Sequence, residues 1–107
     1  MIVSYDPVIF QGPFEKWFKK CDALYQDDRR KKLGYRLYYK FGRKYIKILN
    51  STGNQTGAWA FVELETGNIY KPAGRRAPEL NHPRGNIFDE DGGMKYIQWT
   101  GPMYMES

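Results

Sequence analysis

One cysteine and one histidine are all the chain holds of the side chains that most often bind metals or pair as nucleophile and base. Cys21 alone excludes a disulfide framework and a thiolate metal site, and His82, flanked by Asn81 and Pro83, has no converging ligands around it in the sequence. No Ser-His-Asp set or carboxylate pair is legible, so neither an enzyme nor a cofactor is expected. No apolar run approaches the roughly 18 residues of a membrane span, and the opening MIVSYDPVIFQGPFEKW lacks the basic leader and apolar stretch of a signal peptide. The expectation is a soluble cytoplasmic protein without a membrane partner. The acids of "DEDGG", 89–93, resemble the start of a calcium loop but lack its closing Glu and flanking helices.

Rings and positive charge are plentiful. Aromatic residues make up 17% of the 107 positions, far more than a disordered segment carries, and the length suits one domain, 1–107, with a modest core. The formal net charge is +5 and unevenly placed. Residues 14–47 hold 12 of the 17 Lys and Arg against four acids, whereas 48–107 hold five bases and seven acids. A basic front half points to an anionic partner, nucleic acid being the usual one, although Lys-rich faces also serve solubility.

From Phe14 the apolar residues fall at 14, 17, 18, 21, 24 and 25, one face of an α-helix, which places Cys21 on the buried side. Pro13 suits a first helical position with Gly12 as a weak cap, so the spacing predicts a helix over about 13–26. "DDRRKKLG", 27–34, reads as a polar exit ended by Gly34, its "RRKK" either a charged patch or a solvated helix end favoured by the helix dipole. After Gly34 the period changes to 2. "YRLYYKF" sets Tyr35, Leu37, Tyr39 and Phe41 opposite Arg36, Tyr38 and Lys40, and Gly42-Arg43 either turns a hairpin into "KYIKILN" or bulges one long strand. "AWAFVEL" follows, with Trp59, Phe61 and Glu63 opposite Ala60, Val62 and Leu64, and "ETGN" predicts a tight turn with Gly67 at positive φ leading into "NIYKPA". The 73–93 stretch, with Pro78, Pro83 and four glycines, is expected to stand out toward solvent as a functional loop. "MKYIQW", 94–99, and "MYM", 103–105, close the chain as two strands about "TGP". One helix and five or six locally connected strands predict a mainly β domain curled into a small barrel spanning about 35–105.

From Lys44 onward the segments "KYIKILN", "FVELETGNIYKPA", Ala77-Pro78, "RGNIFD" and "GPMYM" resemble small proteins of tailed phages, marine ones among them, similar in architecture to Sm-like proteins. That resemblance implies an N-terminal amphipathic helix followed by a strongly bent antiparallel five-stranded Sm-like (SH3-like) barrel. It also implies a homo-oligomeric ring, RNA or single-stranded nucleic acid as partner, and work in the cytoplasm of an infected cell. Where Sm proteins carry Arg-Gly between their last two strands, this chain has Thr100-Gly101, and its Arg84-Gly85-Asn86 comes one loop earlier.

The candidate nucleic-acid contacts are Lys71, Arg75 and Arg76 beside Tyr70, then Arg84 and Asn86. Cations near a ring supply what a single strand needs, charge for its backbone and a face for stacking, and Arg offers a planar fork for phosphate. For Arg84 the other reading is an ion pair with Asp89, Glu90 or Asp91. For Asn86 it is an ordinary turn. The rival function is a structural or host-modulating module whose barrel edge and aromatic surface pair with another protein.

Overall fold

The computed structural model describes residues 7–26, 28–52, 54–74, 76–98 and 101–102. The chain runs α1 (Pro7–Tyr25), α2 (Asp28–Lys32), β1 (Arg36–Phe41), β2 (Tyr45–Ser51), β3 (Thr56–Glu63), β4 (Ile69–Tyr70), β5 (Ile97–Gln98) and β6 (Gly101–Pro102). It is a mainly β protein with an N-terminal helix. The first four strands form one antiparallel sheet in sequence order, and β5 with β6 forms a second, two-stranded one.

The helix begins at Pro7, six residues before the expected start, so Pro13 lies inside it and removes one ladder hydrogen bond. Burial outweighs that loss. Phe10, one turn before Phe14 on the same face, is buried, stacks on Phe14 at 6.1 Å and meets Phe88 edge-on at 5.9 Å. Phe14, Trp17, Cys21 and Tyr25 complete the buried stripe, as the spacing predicts. Within the expected polar exit the basic run forms the short α2, and the Arg30 guanidinium folds back to donate to the carbonyl of Tyr25, where a cation is favoured. Gly34, at φ 81°, terminates α2 as expected.

Gly42 closes a hairpin. Its N–H donates to Tyr45 O (2.8 Å), and the register pairs Phe41 with Ile46 and Lys40 with Lys47. The expected face of "AWAFVEL" is corrected by a β-bulge. Ile48 pairs with Ala60 and Leu49 with Ala58, leaving Trp59 as the extra residue. Trp59 therefore turns to the helix side with Ala60 and Val62, against Trp17 (6.5 Å) and Tyr25 (6.4 Å), while Phe61 sits on the opposite face. Gly67 has the expected positive φ, 79°.

The 73–93 connection does not stay out in solvent along its whole length. Arg84 N–H donates to Ile69 O (2.6 Å), Ile69 N–H to Gly85 O (2.9 Å) and Ile87 N–H to Gly67 O (3.0 Å), so residues 84–87 lie along the free side of β4. Unpaired ladder groups drive this, because buried backbone N–H and C=O must find partners. Gly93 makes the return possible at φ 85°, where an added Cβ would sit 2.8 Å from Ile69 Cδ1 and 2.9 Å from Asn86 O. Gly93→Ala is expected to cost about 2–4 kcal/mol, combining the positive φ with a backbone clash, whereas Gly74→Ala in open space should stay within about 0.5 kcal/mol. Chemical denaturation of the two variants checks this. Ile97–Gln98, inside the expected strand "MKYIQW", pairs with Gly101–Pro102, which the sequence placed in the turn, and "MYM" lies outside the described residues.

Candidate nucleic-acid interface

The four expected contacts that lie among the described residues do not assemble into one surface. Lys71 is half-buried and its Nζ donates to Pro102 O (3.3 Å), tying β4 to β6. Arg75 lies outside the described residues. Arg76 is exposed. Arg84, expected on an exposed loop, is instead 0% exposed, and its partner is the upstream Glu79 (3.8 Å) rather than any of the three acids downstream. The reason lies in local geometry. Asp89 Oδ2 accepts from Asn86 N–H and Asp91 Oδ1 from Gly93 N–H, so two of those carboxylates shape the turn while Arg84 faces inward and donates to His82 O. Asn86 follows its turn reading: its Nδ2 donates to Thr66 O (2.8 Å) and Asn68 Oδ1 (2.9 Å), and its Oδ1 accepts from Phe88 N–H (2.8 Å).

A different set of cations converges where β1 turns into β2. The register sets Lys40 directly across from Lys47 on the face away from α1. With Arg43 and Lys44 from the turn, and with Arg76 from the long loop, they border a groove of about 280 Å3. Three rings share it. Phe41 is 59% exposed, Lys44 Nζ stands 5.8 Å from the Tyr45 ring centre, and Lys47 Nζ stands 6.0 Å from that of Phe61. Among the described residues no acid lines this groove.

Sequence reasoning missed Lys40, Arg43, Lys44 and Lys47 because their meeting depends on the hairpin. Had Gly42 bulged a single strand, Lys40 and Lys47 would lie about 23 Å apart along it, at about 3.3 Å per residue. A larger cleft of about 520 Å3 between α1 and residues 87–92 is bordered by Lys16 and Lys20 but also by Asp89 and Glu90, so it carries no net sign. Trp17 is buried in the core and Tyr35 is half-buried against it, so neither ring presents a stacking face.

Burial pushes the Cys21 thiol far up from its ordinary range, and the neighbouring Asp22 charge adds to the shift. Among the described residues no three of His, Cys, Asp and Glu converge as a metal site, and no helix is long and apolar enough to cross a membrane.

Residues 8–105 match the model of a family of unknown function (DUF7717), and the chain belongs to that family. No curated protein and no solved structure matches it.

Proposed function

We propose that this member of the family is a non-enzymatic module that binds RNA or single-stranded DNA across the groove at the β1–β2 turn. The observation that carries the reading is the Lys40–Lys47 pair set face to face among three further cations, with no lining acid among the described residues. Like charges directly opposite in a ladder destabilise a sheet, and a bound phosphate chain removes that penalty. The half-buried Tyr45 ring, with Lys44 Nζ 5.8 Å from its centre, offers a stacking face beside the charges, which suits a single strand better than a closed duplex. The long loop keeps a part through Arg76. The reading extends to the fold: the four-stranded sheet and the β5–β6 pair are two walls of one small Sm-like barrel, supported by the Lys71–Pro102 bond and by Gly101 packed close to the Trp59 carbonyl. Assembly into a homo-oligomer would repeat the groove and add avidity to modest individual contacts.

The test is a fluorescence-anisotropy titration of labelled single-stranded RNA at two salt concentrations. With three to five phosphates neutralised, a fourfold rise in salt is expected to weaken binding between about 20- and 130-fold. The double variant Arg43→Ala/Lys44→Ala is expected to flatten the log–log slope by about 1.4 without lowering thermal stability. An affinity indifferent to salt, or unchanged by the double variant, rejects the groove as the site.

A further inference from the structure

β1 is the outermost strand of its sheet, and its backbone shows which groups face outward. Because Gly42 N–H bonds to Tyr45 O, the even-numbered residues Arg36, Tyr38 and Lys40 turn their N–H and C=O toward β2. Leu37, Tyr39 and Phe41 turn theirs away. Leu37 N–H is met by the α1 side chain Asp22, whose Oδ1 accepts at 3.1 Å. Among the described residues nothing meets the N–H and C=O of Tyr39 and Phe41. Four ladder groups in a row are open, a template for an added strand.

The side chains beside that opening specify what would fit. On the helix side, Tyr39 packs against Phe14 (5.0 Å) and Phe18 (4.8 Å), and Phe41 against Phe14 (6.2 Å), yet the two rings stay 38% and 59% exposed. An added strand extends this apolar row with its own alternate residues. On the other face the intervening position lies beside Lys40, backed by Lys47. An acid there offsets two unopposed charges. A second copy of β1 would fit poorly, since the antiparallel register that uses all four groups sets one Lys40 against the other.

We propose that the open stretch from Tyr39 to Phe41 receives an extended segment of a protein partner by strand addition, with apolar residues flanking an Asp or Glu beside Lys40. This goes beyond the nucleic-acid reading and stands on the backbone rather than the groove. Asp22 limits the added strand to the Tyr39 end of β1 and beyond. The partner's acid projects over Lys40 and Lys47, so the segment and a nucleic acid exclude each other.

The probe is a labelled, end-capped Val-Glu-Val-Glu-Val-Thr peptide, compared with its Lys-for-Glu counterpart and with a version N-methylated at alternate backbone nitrogens. Binding of the Glu peptide is expected to slow amide exchange at Phe41 and Tyr39, and N-methylation or Lys replacement is expected to weaken it about tenfold or more. Lys40→Glu, an exposed substitution whose fold a thermal melt checks, should reverse the preference between the Glu and Lys peptides. Equal binding by the N-methylated peptide, or unprotected Tyr39 and Phe41 amides, overturns strand addition. So does the absence of binding by the Glu peptide. These results leave the oligonucleotide titration untouched, and a salt-independent oligonucleotide result leaves the peptide series untouched.

Discussion

Replacing Arg84 by alanine is expected to destabilise the protein by about 2–4 kcal/mol, while Arg84→Met costs about 1 kcal/mol or less. The guanidinium is fully buried between the β4-flanking segment and the loop before it, paired with Glu79 and donating to His82 O. Alanine leaves a void where a long side chain was, frees the His82 carbonyl from its donor, and strands the Glu79 carboxylate. Breaking a fully buried pair would cost more, but Glu79 keeps 28% of its side-chain exposure and regains water. Methionine refills most of the volume without a charge, which is why the two substitutions separate. Urea denaturation followed by tryptophan fluorescence measures both. Full stability in the alanine variant together with lost RNA binding would return Arg84 to the direct phosphate contact expected from the sequence.

Trp17→Ala is expected to cost about 3–5 kcal/mol, the range for deleting a large buried aromatic. Trp17 is 0% exposed and joins the two halves of the core, meeting Phe14 at 6.0 Å along the helix and Trp59 at 6.5 Å across to the sheet. Its partner reaches it only because the bulge turns Trp59 inward. Trp17→Phe should be much milder, about 1 kcal/mol, since the indole Nε1 is buried without an acceptor and its removal offsets part of the lost area. Calorimetry of both variants decides the matter. A Trp17→Phe loss as large as that of Trp17→Ala would show that the N–H contributes to stability.

The helix stripe, the change of period after Gly34 and the Gly67 turn were legible because each depends on neighbours within a few residues. The early helix start was less so, because Pro13 imitates a first position while the deciding contact, Phe10 with Phe88, spans most of the chain. The bulge at Trp59 leaves no trace in an apolar run where both faces are filled. Arg84 shows the same limit at the site: its burial depends on Glu79 and on backbone pairing with Ile69, whereas the conspicuous acids beside it serve the turn. The cationic groove was invisible for want of one decision at Gly42. Its residues were all in view, but only the hairpin brings them together.

Among the described residues the segment 84–87 lies along β4 and occupies that margin of the sheet, while β1 keeps the other open. A sheet open on both sides hands each newcomer's far side to the next, which is how fibrils grow. Here the irregular segment 84–87, with Pro83 before it and Gly85 within it, takes the place beside β4 that a second chain would need, so growth through that margin meets the protein's own backbone first.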